Sequence, residues 1–248
     1  MLILKSPLFQ VFFYALLTAL ATGLGALPFA FRRQIDRQWL GYGNGMAAGL
    51  MLAASFQLVQ EGISSSIFRT VLGLLAGLLL IGLGQRRLNH QKELHIGHLK
   101  GMDARRALLL IGVMTVHSFA EGIGVGVSFS GGQDFGAYIA LAIAVHNIPE
   151  GLAISIVLAP RGMRTIAVAG WCILTSLPQP FIAVPSFMFV DAFAPLLPLG
   201  LGVAAGAMIW MVAAEIIPDG QQDSSPEGVA TATTLAVAAM VAFQAWIH

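Results

Sequence analysis

Eight apolar stretches follow one another along the chain, at roughly residues 8–31, 39–60, 66–84, 106–129, 134–159, 163–190, 194–217 and 227–247, with short polar segments between them. A helix needs about 20 mostly apolar residues to cross the hydrocarbon core of a bilayer. The pattern therefore predicts eight transmembrane helices. The sixth stretch holds Pro178, Pro180 and Pro185. A proline removes a helical hydrogen bond and crowds the preceding turn, so this stretch is predicted to bend or break. The first stretch runs apolar to Phe31 with only Lys5 ahead of it. It is too long for the core of a signal peptide, which spans about 7–15 residues.

Composition supports the same reading. The 248 residues are 57% hydrophobic and 10% charged, with a mean hydropathy of +0.80, whereas a soluble domain carries about 25% charged residues. The net charge of +1 says little about partners, and no nucleic acid is expected among them. Cys172 is the single cysteine and lies within an apolar run, so it is read as a packing residue. GxxxG spacings at Gly45/Gly49, Gly73/Gly77 and Gly202/Gly206 favour close helix packing or a homodimer.

The placement of the cations sets an orientation. Eleven of the thirteen Lys and Arg residues fall in the first, third and fifth loops, which share one side; Lys5 and Arg69 fall on the other. That bias predicts a cytoplasmic location for the odd loops and an extracytoplasmic one for both termini.

Three acids stand out against the apolar background: Glu121, Glu150 and Glu215. A charge at the centre of a membrane helix costs about 2.5–3.5 kcal/mol on insertion scales, so each is a candidate functional residue. Two of them follow a histidine by four positions. The fourth stretch reads VHSFAEGIGVG, with His117 and Glu121, and the fifth reads VHNIPEGLAIS, with His146 and Glu150. Residues four apart share a helix face. His117 lies about 16 Å into its stretch counted from Arg106, and His146 about 18 Å counted from Asp134, at 1.5 Å per residue. Both depths fall near the midplane, and consecutive stretches joined by a short loop pack antiparallel. Two imidazoles and two carboxylates can therefore meet at one depth, a ligand set suited to zinc and also to iron, manganese, cobalt or nickel. Pro149 frees the carbonyl of Val145 beside His146, and loosened backbone at mid-membrane is common at transport sites. Packing alone accounts for one such pair but poorly for two at matched depth.

The twin motifs HSFAEG and HNIPEG on consecutive helices resemble the fourth and fifth helices of the ZIP (Zrt/Irt-like) metal transporters, most of all their bacterial and GufA-like branch. AAEIIPDG, closing the seventh stretch, extends the likeness. The resemblance implies an all-α integral membrane protein. Residues 1–248 then form a single transmembrane transporter domain, in which helices 1–3 and 6–8 make an inverted repeat around helices 4 and 5. It implies transport of a divalent transition metal toward the cytoplasm, zinc foremost and cadmium among the others, with the metal as cargo and no cofactor. A plasma (inner) membrane location follows. The implied metal ligands are His117, Glu121, His146, Asn147 and Glu150, with Met51 of GLMLAASF at a contributing second-helix position. Two departures concern a second, adjacent metal site: Ser118 stands where many members carry asparagine, and Gln179 of TSLPQP where many carry glutamate. One tight metal is therefore expected, with Ser118 and Gln179 as weak neutral ligands. Glu215 is read as a pathway residue, a structural ion pair or a membrane-edge acid, and family members often pair it with a second acid where this chain has Ala214.

The third loop, residues 85–105, holds His90, His95 and His98, a spacing that can gather a metal at the cytoplasmic mouth but also suits a solvated loop. Two further functions compete with transport. A zinc-dependent intramembrane hydrolase needs an open coordination position and a general base, a part open to Glu121 or Glu150. A membrane scaffold with structural zinc needs no kinked site.

Overall fold

Ser6 starts the first helix. Its side chain accepts the Phe9 N–H at 3.2 Å, and Pro7 follows as a first helical residue with no N–H to satisfy. The computed structural model describes residues 6–31, 36–89, 95–96 and 99–247. Within them lie eight helical spans long and apolar enough to cross a membrane: α1 (Pro7–Phe31), α2 (Arg37–Ser65), α3 (Ile67–Arg87), α4 (Ala104–Ser130), α5 (Gln133–Arg161), α6 (Thr165–Met188), α7 (Val190–Asp223) and α8 (Pro226–Ala245). In the loop between α3 and α4 a short antiparallel ladder pairs His95 with Lys100 and Ile96 with Leu99. His90 and His98 lie outside the described residues, as do Lys5, Arg32, Arg33 and Lys92, and only the backbone of His95 is described.

The irregular turns have local causes. In α1 the chain tightens to a 3-10 turn at Gly23–Ala26. Pro28 has no N–H to donate to Leu24, whose carbonyl instead accepts from Leu27 at 3.0 Å. The prolines break α6 at Leu177, into Thr165–Ser176 and Pro178–Met188, as the sequence predicts. In α7 a π-helical turn spans Val212–Ile216. Pro218 follows it and cannot donate to Ala214, so the ladder slips there. By contrast, α5 stays helical from Gln133 to Leu158 with Pro149 inside it.

The spans pack in a repeating scheme. The α2 span runs along α8 and α3 along α7, while α1 runs along α5 and α4 along α6. Contacts of α2 with α7, α1 with α6 and α4 with α5 join these pairs into two sets of four, and contacts of α2 with α5 and α4 with α7 join the two sets into one molecule. Exchanging α1 with α6, α2 with α7, α3 with α8 and α4 with α5 maps the whole scheme onto itself. That is the packing of an inverted repeat, α1–α3 and α6–α8, around a central α4 and α5.

Glycine explains which contacts are closest. A Cβ on Gly49 would lie 2.3 Å from the Thr233 carbonyl oxygen, and one on Gly77 2.2 Å from that of Val203. Gly202 and Gly206 meet the carbonyls of Thr70 and Leu74 in the same way, at 2.3 Å. The three GxxxG spacings thus weld α2 to α8 and α3 to α7 at backbone distance. Gly126 against Ala183 (2.3 Å) joins α4 to α6, and Gly25 against Leu152 (2.1 Å) joins α1 to α5. Two groups of four spans emerge: α2, α3, α7 and α8 in one, α1, α4, α5 and α6 in the other. The glycine contacts across the seam between them are looser. Gly43 faces the Ile156 side chain at 3.1 Å and Gly200 faces Ala120 at 3.7 Å. Large apolar side chains such as Phe68, Leu79, Ile166 and Phe181 remain exposed around the outside, as a lipid-facing surface requires.

Candidate metal centre

His117 and Glu121 stand one turn apart on α4, and His146 and Glu150 one turn apart on α5. The structure brings all four together. Each contributes one potential ligand atom, and these atoms lie within 4.8 Å of one another. Within each helix the imidazole Nε2 and carboxylate Oε1 are 3.4 Å apart, from His117 to Glu121 and from His146 to Glu150. Across the helices His117 Nε2 approaches Glu150 Oε1 to 2.5 Å without hydrogen-bond geometry. His117, Glu121 and Glu150 are buried, and the His146 side chain retains 14% exposure.

Several polar atoms here are buried without a hydrogen-bond partner: both nitrogens of His117, both carboxylate oxygens of Glu150, and Oδ1 of Asn147. Buried polar groups are overwhelmingly satisfied in folded proteins. Their concentration in one place, with imidazole and carboxylate chemistry, fits a set of donors for a divalent cation. Asn147 directs its amide nitrogen away from the cluster, donating to the Thr18 carbonyl at 3.0 Å and to Gln179 Oε1 at 3.3 Å. That leaves its oxygen as the free end.

Gln179 is fully buried beside the cluster on α6. Its Nε2 donates to Glu121 Oε2, while its Oε1 accepts from Asn147 and from the Thr18 hydroxyl. The amide oxygen is thus turned away from the carboxylates, and the amide nitrogen occupies the place beside Glu121. Thr18 is a residue that sequence reasoning missed. A threonine in an apolar first helix gives no signal of its own, and only the crossing of α1 with α5 and α6 reveals it.

Met51 on α2 and Ser118 on α4 are buried, without a described hydrogen bond to the four ligands. Glu215 lies apart from the cluster. It accepts from Gln85 Nε2 at 2.7 Å and pairs with Arg106 at 3.5 Å and Arg105 at 3.8 Å. Asp219, one turn on, pairs with Arg106 at 2.7 Å and Arg161 at 3.5 Å. These ion pairs cross the seam at one end of the molecule, from α4 and α5 to α7.

A bundle of eight apolar spans with a buried, centrally placed His/Glu cluster defines an integral membrane protein built to handle a cation. The ZIP zinc transporter family model matches residues 83–243. GufA of Myxococcus xanthus, a zinc transporter, is 33% identical over 219 residues, covering 83% of this chain and 86% of its own length. The zinc transporter ZIPB of Bordetella bronchiseptica is 33% identical over 240 residues, 90% of this chain and 76% of its own. A longer Arabidopsis thaliana protein is 51% identical over 98% of this chain, which spans 40% of that relative's length. The chain belongs to the ZIP family.

Proposed function

We propose that this chain is a single-domain transporter, residues 1–248, that carries a divalent transition-metal ion, zinc foremost, across the membrane through the His117–Glu121–His146–Glu150 cluster. The observation that carries this reading is the convergence of four ligand atoms within 4.8 Å at the centre of the bundle. Named zinc transporters among the relatives supply the substrate class. Asn147 Oδ1 is the fifth donor. Two carboxylates offset the charge of a dication, so a loaded site is close to neutral and crosses an apolar interior at lower cost than a bare ion. The cation bias of the odd loops supports the orientation, with those loops in the cytoplasm and the termini outside, and the family likeness supports the plasma (inner) membrane and inward movement. The charge cluster of Glu215 and Asp219 then sits at the cytoplasmic end. The protein is read as a transporter and not as an enzyme. The intramembrane hydrolase gains no support from the relatives.

The test is zinc uptake into proteoliposomes. His146→Ala and Glu150→Ala are each expected to abolish it, because loss of one ligand weakens the metal and strands its partner in the apolar interior. Near-normal uptake by either variant, correctly inserted, sinks the assignment.

A further inference from the structure

Thr18 sits on α1, fully buried, where α1 crosses both α5 and α6. It touches two amides. Its backbone carbonyl accepts from Asn147 Nδ2 at 3.0 Å, and its hydroxyl meets Gln179 Oε1. The same hydroxyl lies 2.6 Å from the Ala15 carbonyl, but it has one proton to give. Placed toward Ala15 alone, that proton would leave two oxygen lone pairs facing each other between Thr18 and Gln179. Turning the Gln179 amide over is no remedy. It would set nitrogen against the Asn147 nitrogen and oxygen against the Glu121 carboxylate. The proton therefore lies between Thr18 and Gln179, and the amide orientation follows from it.

Resting on the transport reading above, we infer that Thr18 is a positioning residue for the metal site. Its hydroxyl fixes the Gln179 amide so that Nε2 holds Glu121 Oε2, and its carbonyl holds the Asn147 amide so that Oδ1 is left for the cation. Glu121 then keeps one oxygen tethered and presents the other, Oε1, on the side of His117. Hydrogen bonds of this kind orient metal-ligating carboxylates, and losing the direct partner typically costs about 10–100-fold in metal affinity. Thr18 acts one bond further out, so its effect is smaller, about three- to tenfold.

The experiment is zinc titration of the purified protein by calorimetry, with uptake kinetics in proteoliposomes alongside. Thr18→Val keeps the carbonyl and the branched shape but removes the hydroxyl. It is expected to weaken zinc binding by about three- to tenfold, with the loss carried by KM rather than kcat. Thr18→Ser restores the hydroxyl and the affinity. In a Gln179→Met background, Thr18→Val is expected to add no further loss, because the amide it orients is gone. Thr18→Ala is read in the same way if the valine variant does not fold. Unchanged affinity in both Thr18→Val and Thr18→Ala overturns the inference, and so does a full additional loss in the Gln179→Met background. Failure of the wild-type protein to bind or move zinc overturns the transport reading instead, so the two failures are distinguishable.

Discussion

At the scale of single residues, the site combines side chains the sequence announces with side chains it hides. His117, Glu121, His146 and Glu150 were legible because a four-residue spacing on a helix puts each pair on one face, and because charged groups in apolar runs demand a reason. Gln179 was legible as a residue but not as an orientation. Its amide has a donor end and an acceptor end, and which end faces Glu121 depends on Thr18 and Asn147, residues 161 and 32 positions away. With nitrogen toward Glu121, position 179 offers no oxygen to a second ion beside the first. Two adjacent dications also repel each other and need anionic ligands to offset it. The protein is expected to retain one tightly bound zinc per chain after dialysis, counted by elemental analysis. Gln179→Glu replaces the donor with a carboxylate and is expected to raise the count toward two, or to tighten a second, weaker event. Two tight ions in the unmodified protein contradict this.

At the scale of helices, the site depends on a crossing in which two backbones touch. Gly151 follows Glu150 directly, and a Cβ there would lie 1.8 Å from the Thr22 carbonyl oxygen, with Gly25 closing the same crossing from the other side. The obstacle is backbone, which cannot swing aside. Overpacking costs about 1–3 kcal/mol even where side chains can adjust, so Gly151→Ala is expected at or beyond the top of that range. The readout is the melting temperature of the detergent-solubilised protein together with zinc affinity. Both are expected to fall, because α1 must shift and Glu150 and Thr18 shift with it. A variant with native stability and affinity refutes that geometry. The sequence marked the GxxxG spacings of α2, α3 and α7 but gave no such sign here, since Gly25 and Gly151 lie on different spans and form no spacing. The π turn at Val212–Ile216 was equally hidden, because a single proline at 218 allows a kink, a break or a slipped ladder, and packing decides among them.

At the scale of the whole molecule, two four-span groups, each closed by glycine contacts, meet along a looser seam, and the ion pairs of Arg106 and Arg161 with Asp219 fasten one end of it. Breaking a partly buried pair leaves charge less well compensated. Asp219→Asn is therefore expected to lower the melting temperature while leaving zinc affinity at the central cluster unchanged. Unaltered stability means that these pairs do not hold the groups together. The number of spans could be counted from hydropathy, but their partners could not. Apolar helices in lipid have no amphipathic face to declare a neighbour, and here the pairing became expected only through the family likeness.

The exchange of α4 with α5 that maps the packing onto itself also maps one histidine–glutamate pair onto the other. That correspondence is one of position only, because His117 is fully buried while the His146 side chain keeps 14% exposure, and Gln179 tethers Glu121 but not Glu150. The two halves of the site are therefore unlike in what surrounds them. A second asymmetry lies away from the ligands, in the arginine–carboxylate cluster at one end of the seam. Directional bias in the carrier thus has two asymmetries to draw on, one in the surroundings of its ligands and one at the end of the seam.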